Sequence, residues 1–384
     1  MNTKYMVESN ILKHEAIRRE FHAHPELSGK EFETQKRILK YLEPLPHFEI
    51  MRIADTGVIA LQVGEREGPT VLIRADIDAL PINEPNEFDH RSKTDGVSHK
   101  CGHDGHTTIL LALAEHLSRT PIPKGKIILL FQPAEEDGTG AARILSDDYF
   151  YSLNIDWVFA LHNLPGFALN TVVVKENEFT AEVKSAVIEL DGVTSHAGEP
   201  EKGKNPGKAI ADILFFAENN TSHNIESNQF LQITPVHVLM GQKAYGISPG
   251  SGEVHLTLRS WYPEVLRNSC KQLENFVEST CKRDGLTFDL HYTEAFAANI
   301  NDEKAVEMIR KASESLGLEV NEAAEAFRWG EDFGLFTQRY RGAMFGIGAG
   351  VDTPVLHHPY YDFPDAIIPT AKMIFSTIID DILR

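Results

Sequence analysis

The chain is poor in cysteine, in net basic charge and in long apolar runs, and each shortage removes a class of function. Three cysteines, Cys101, Cys270 and Cys281, are too few for a disulfide framework and fit a reducing cytoplasm. Against 56 acidic residues stand 37 basic ones, so no surplus of Lys or Arg exists to neutralise nucleic-acid phosphates. No segment nears the roughly 18 consecutive apolar residues of a membrane span. Met1–Met6 lacks the apolar core of a signal peptide. The expectation is a cytoplasmic protein with neither nucleic acid nor membrane as partner. Its 384 residues, 42% of them hydrophobic, leave room for two domains with cores of their own.

Against these shortages, one stretch is dense in chemistry: Ser98-His99-Lys100-Cys101-Gly102-His103-Asp104-Gly105-His106. A thiolate and several imidazoles at this spacing suit a borderline-soft transition metal. The plainer reading is a polar loop capping a helix, with Asp104 or Thr107 near the N-cap. Cysteine two residues before histidine, with further ligand types downstream, favours the metal. Cys270 and Cys281 fall in a helical pattern and read as packing residues.

Hydrophobic patterning organises the rest. Residues 8–43 read as helix broken by the turn His24–Gly29, and Val58–Val63 and Thr70–Ile73 as strands. Thr107–Leu117 reads as helix, while Lys126–Phe131 and Trp157–Leu161 read as buried strands. The strands that close on Asp76 and Asp78, on Glu135 and Glu136, and on His162 each deliver polar residues at their carboxyl end. That is the pattern of a parallel-rich α/β sheet, whose ligands gather at that edge. From residue 181 to 294 the order becomes β, α, β, β, α, β, as in a ferredoxin-like α+β unit. The expected organisation is an α/β protein of two domains: residues 1–180 with 295–384, and an insertion at 181–294.

Cys101, His103, Glu136, His162 and either His357 or His358 are possible ligands on separate sheet-end loops, a dispersion that suits two metal ions. In the pair Glu135-Glu136, neighbouring side chains cannot easily reach one point. One can then bind metal while the other serves as general base.

His22-Ala23-His24-Pro25-Glu26-Leu27, Arg74-Ala75-Asp76-Ile77-Asp78-Ala79-Leu80-Pro81, the Cys101–His106 segment, Gln132-Pro133-Ala134-Glu135-Glu136, Leu161-His162-Asn163 and Leu356-His357-His358-Pro359 occur in this order. Together they resemble the aminoacylase-like metallo-amidohydrolases, relatives of the di-zinc carboxypeptidases. The resemblance implies a di-metal peptidase-like catalytic domain carrying an inserted lid and dimerisation domain, and a homodimer. It implies two divalent ions (zinc, manganese or cobalt) on Cys101 as bridging thiolate, His103, Glu136, His162 and His357, with Glu135 as general base. Asp76 and His106 would hold ligand rings in position. In the insertion, His196 of Thr194-Ser195-His196-Ala197-Gly198 would stabilise the developing oxyanion. Arg259 would bind the substrate carboxylate, and Asn205 fits a nearby Asp/Asn-Pro motif that serves equally well as a helix cap.

Three segments depart from the family pattern. Gly246-Ile247-Ser248-Pro249-Gly250 stands where many members carry Asn-X-Ile-Pro-Asp, Glu199-Pro200-Glu201-Lys202 where a Pro-His pair is common, and Trp329-Gly330-Glu331-Asp332-Phe333 has Gly for Ser. The first bears on recognition of the carboxyl half of a substrate. The implied activity is hydrolysis of a small N-acyl amino acid, with a metallo-dipeptidase or carboxypeptidase as the variant within the same chemistry. A Cys101-nucleophile hydrolase or a non-catalytic metal-binding relative are the readings from other classes.

Overall fold

The computed structural model describes residues 3–222 and 229–384. The chain begins with α1 (Thr3–Ala23) and α2 (Phe32–Leu42). Three strands follow: β1 (Glu49–Ile53), β2 (Gly57–Val63) and β3 (Arg66–Asp76). Then come α3 (His103–Arg119), β4 (Lys124–Gln132), α4 (Gly140–Leu145), α5 (Asp148–Ser152), β5 (Trp157–Pro165), β6 (Val172–Val174) and β7 (Asn177–Thr180). Three expected boundaries need correction: the strand expected from Thr70 begins at Arg66, the helix expected from Thr107 begins at His103, and the strand expected to end at Leu161 runs on to Pro165.

The insertion runs β8 (Glu182–Asp191), β9 (Ser195–His196), α6 (Gly207–Asn220), β10 (Gln232–Met240), β11 (Ile247–Ser248), β12 (Ser251–Ser260), α7 (Pro263–Asp284) and β13 (Thr287–Phe296). The chain returns through β14 (Asn299–Asn301), α8 (Glu303–Ser315), β15 (Val320–Glu322), α9 (Gly334–Thr337), β16 (Arg341–Gly350) and α10 (Ile367–Leu383). It divides into two compact units: residues 1–179, 299–324 and 332–384, and residues 180–298 with 325–331.

The first unit is built on an eight-stranded sheet, ordered β1-β2-β4-β3-β5-β16-β6-β15. β4, β3, β5 and β16 run parallel at its centre. Their near-continuous apolar runs, Val71–Ile73, Ile127–Phe131 and Val158–Ala160, are fully buried, as strands covered on both faces must be. α3, carrying Ile109–Ala114 in its middle, packs on β3, α1 and α10. This stacking sets the start of α3 beside the carboxyl ends of the central strands.

The second unit is a four-stranded antiparallel sheet, ordered β10-β12-β8-β13, with α6 and α7 packed on it. Ala186, Ile188 and Leu190 alternate inward from β8 and meet Val254, Leu256 and Leu258 of β12. Pro263 opens α7 and Gly285, in the left-handed region at φ 68°, closes it. The connectivity and strand order are ferredoxin-like. Cys270 and Cys281 lie buried among the α7 packing residues. Among the described residues, no helix is long and apolar enough to cross a membrane.

Candidate metal centre

Gly102 caps α3 at φ 97°, where a Cβ would lie 2.6 Å from Asn163 Oδ1. Glycine is therefore required on both conformational and steric grounds. The tight cap sends Cys101 and His103 to the same side, toward the ends of β4 and β5. Glu135 and Glu136 follow directly after β4, and His162 lies within β5.

These residues converge. The donor atoms of Cys101, His103 and His162 lie within 4.8 Å of one another, and so do those of Cys101, Glu136 and His357. Cys101 is thus common to two triads. His103, Glu135 and Glu136 form a further group, as do Asp76, His103 and His106. Cys101 Sγ is 3.5 Å from His162 Nε2, and His162 Nδ1 donates to the Asn163 carbonyl at 2.9 Å, which leaves the Nε2 lone pair facing the sulfur. His357 Nε2 stands 3.8 Å from Glu136 Oε2. His358 instead turns to the surface, its Nδ1 accepting the Tyr360 N–H.

The electrostatics call for a cation. His103 Nε2 and Glu136 Oε1 are buried without a hydrogen-bond partner among the described residues, although 3.7 Å apart. Burial opposes charge on His103, yet Asp76, Asp78 and Glu136 push it up to about 10. Burial, with Asp78 and Asp76 nearby, pushes Glu136 up to about 8 against the pull of His103. His162 is driven down to about 3 by burial and by His106, so it presents a neutral ring. Orphaned donor atoms facing one another in a protein interior are costly, and a bound metal ion would satisfy them.

The supporting carboxylates divide differently from expectation. The ring of His103 is held by Asp78, whose Oδ1 and backbone carbonyl both lie 3.1 Å from Nδ1. Asp76 instead bonds His106 Nδ1 at 2.6 Å, and its Oδ2 accepts from Arg74 at 2.6 Å. Burial works against charge on Asp76, but His103, His106 and Arg74 hold its carboxyl well below the usual range. Arg74 also reaches Asp332 at 2.9 Å, and this acceptor in turn receives the Gln132 amide and the Ala141 N–H. Both ring nitrogens of His106 are engaged, Nε2 lying 2.5 Å from Asn163 Oδ1.

Two backbone positions are strained where the ligands emerge. Ala134, just before the acidic pair, sits at φ 53°, and His357 at φ 64°. For residues with a Cβ this costs about 1–2 kcal/mol each and persists only where the surroundings enforce it. The buried Glu31 carboxylate enforces the first by accepting the Ala134 N–H at 2.8 Å.

The second unit carries the other three candidate residues. β9 pairs with β11, setting His196 opposite Ile247 and Ser195 opposite Ser248. The altered Gly246–Gly250 segment therefore lies against His196. Asn205 accepts the Gly207 N–H at 2.8 Å and donates to Ser248 Oγ at 3.1 Å, so it joins the start of α6 to the same segment. Arg259 lies on β12 and donates to the Arg328 carbonyl at 3.0 Å.

The family model for peptidase family M20/M25/M40 matches residues 72–380. The chain belongs to this family. An N-acetylcysteine deacetylase of Bacillus subtilis is 31% identical over 365 residues, covering 94% of each chain. An N-acetyl-L-cysteine deacetylase of the same organism is 35% identical over 367 residues, 94% of this chain and 86% of its own. Among solved structures, a dinuclear metal-binding M20 peptidase of B. subtilis superposes with a TM-score of 0.82 at 28% identity, covering 98% of this chain and 99% of its own. The resemblance to aminoacylase-like amidohydrolases is met at the level of family and fold, and the chain is an M20 hydrolase.

Sequence reasoning placed Asp78 at the ligand edge of the sheet without a role of its own, and gave Glu31 and Asn163 no part in this M20 centre. Asp78 had a signal: it ends the same acidic strand segment as Asp76. Glu31 and Asn163 are ordinary polar residues whose partners lie far along the chain.

Proposed function

We propose that this chain is a metal-dependent amidohydrolase that cleaves the amide bond of a small N-acyl amino acid in the cytoplasm. The observation that carries the reading is the sharing of Cys101 by two ligand triads, with a second carboxylate beside them. Cys101, His103 and His162 would hold one divalent ion, and Cys101, Glu136 and His357 a second. Thiolate, imidazole and carboxylate together suit zinc, manganese or cobalt. When bound, such a pair supplies Lewis acidity to a carbonyl and makes water acidic enough to ionise near neutral pH.

Glu135 is buried, and its Oε2 lies 3.9 Å from His103 Nε2, close to the ligands. In this reading Glu135 takes a proton from the attacking water and returns it to the departing amine, which leaves poorly as an anion. Asp76 and Asp78 hold the His106 and His103 rings. His196 would stabilise the oxyanion, while Arg259 and Asn205 would form the end that binds the substrate's carboxyl half. The N-acetylcysteine deacetylases among the relatives support an N-acetyl amino acid as substrate class. A thiolate ligand is protected from oxidation in a reducing compartment, which supports the cytoplasm.

We also infer a homodimer through the second unit. β10 is an edge strand of its sheet, and Val236, Val238, Leu239 and Met240 on it are exposed. An apolar edge strand of this kind is a template for a second copy.

The deciding experiment measures amino-acid release from N-acetyl, N-benzoyl and indole-acetyl amino acids and from dipeptides, on chelator-stripped protein with and without manganese or zinc. Restored activity supports the reading, and turnover that needs no metal overturns it. In the same assay Glu135→Gln keeps its metal and loses about 10²–10⁴-fold in turnover; unchanged turnover removes Glu135 from its role.

A further inference from the structure

The proposed ligands are not held alike. Cys101 and His103 flank the cap of α3, Glu136 follows β4, and His162 lies within β5. His357 instead sits in an exposed, irregular stretch, residues 351–360, on strained left-handed backbone.

Lys100 fastens that stretch beside His357, together with the Asn86 amide, which donates to the Tyr360 carbonyl at 3.4 Å, and the Asn163 amide, which donates to the Tyr361 hydroxyl at 2.5 Å. The His357 N–H donates to the Lys100 carbonyl at 2.8 Å. The Lys100 ammonium donates to the Tyr361 carbonyl at 2.7 Å and to Glu84. Lys100 thus grips the loop on both sides of His358-Pro359-Tyr360. Its side chain is fully buried, an uncommon place for a lysine unless it is paired. Lys100 also immediately precedes Cys101, the donor shared by both triads. Arg18, which bonds Asp362 and Asp365 at 2.7 Å each, secures the segment further on.

We infer that Lys100 is a positioning residue that sets His357 against Cys101 and so controls occupancy of the Cys101–Glu136–His357 site selectively. The inference rests on the two-metal reading above. Groups that orient metal ligands typically contribute 10–100-fold to affinity. Apart from its peptide link to Cys101, Lys100 hydrogen-bonds only His357 among the five ligands, through its carbonyl, and its ammonium ties the same loop at Tyr361. Removing the side chain should therefore loosen that loop and weaken one binding step while sparing the other.

The test is a cobalt(II) titration of the full, chelator-stripped chain, followed by calorimetry and by thiolate-to-cobalt absorption, independently of turnover. The parent protein takes up two equivalents, and His357→Ala marks which step depends on that loop. Lys100→Met is expected to weaken the same step about 10–100-fold and to leave the other unchanged. Should its circular dichroism show that it does not fold, Lys100→Gln, which retains a donor, is read in its place, with a smaller shift in the same step. A folded variant that binds both equivalents with the parent's affinities, or that weakens both steps equally, overturns the inference. If instead the parent binds fewer than two equivalents, or His357→Ala alters neither step, the two-metal reading itself falls, a result distinct from failure of Lys100 alone.

Discussion

Asp78→Asn tests the logic of the centre because it changes almost no volume. The Asp78 Oδ2 atom accepts the Glu136 N–H at 3.0 Å and the Ser28 hydroxyl at 2.7 Å, while Oδ1 faces His103 Nδ1 at 3.1 Å. An amide has one oxygen where the carboxylate has two. Turned one way, its NH₂ confronts the Glu136 N–H. Turned the other, it confronts His103 Nδ1 and favours the tautomer that protonates Nε2, the atom aimed at the metal. Either orientation leaves a buried donor unmatched, at about 1–3 kcal/mol, which is roughly 5- to 150-fold in an equilibrium. The expected result is metal affinity lowered about 10–100-fold with the fold retained. Competition against a chromogenic chelator reads the affinity, and hydrolysis at saturating metal reads what remains of catalysis. A folded Asp78→Asn that binds metal as tightly as the parent would refute the assignment of Asp78 as the support of His103 and Glu136.

Three further outcomes follow from the same geometry. Gly102→Ala should lower the melting temperature and weaken metal binding together, since its Cβ would meet Asn163 Oδ1 at 2.6 Å on backbone at φ 97°; an unaltered melt would show that the cap is not under this constraint. Burial disfavours charge on His22, but Asp104 and Glu84 raise it to about 9, above the ordinary 6.5. Its contribution, at most about 3 kcal/mol, is fully present below pH 6.5 and lost as pH rises through 9. Melts of the parent should show that decline, and His22→Gln should flatten it. Val238→Lys, on the exposed edge strand, should shift the sedimentation of a dimer toward monomer; an unchanged dimer would place the interface elsewhere.

The parts legible in the sequence were those whose signal is local. Ile127–Phe131 and Val71–Ile73 are unbroken apolar runs, and burial on both faces of a parallel sheet leaves that mark. β1 left none: Glu49–Ile53 lies at the sheet edge, only Ile53 is buried, and nothing in it alternates cleanly. The two glycines around His103 and Asp104 read as loop, although Gly102 is a helix cap and Gly105 lies inside α3, where a Cβ would strike the Phe363 ring at 2.5 Å. Their smallness answers to packing, which hydropathy does not register. The same divide runs through the centre. Ligand types are visible because thiolate, imidazole and carboxylate are chemically conspicuous. Which carboxylate serves which ring depends on how β3 meets α3, so Asp76 and Asp78 could not be separated by spacing. Glu31 holds the strained turn at Ala134 across 103 residues of chain. A local motif therefore names the donors, whereas their aim is a property of the packed sheet. Substitutions at Glu31, Asp78 or Lys100 should consequently affect metal binding although every proposed ligand residue is retained in the sequence.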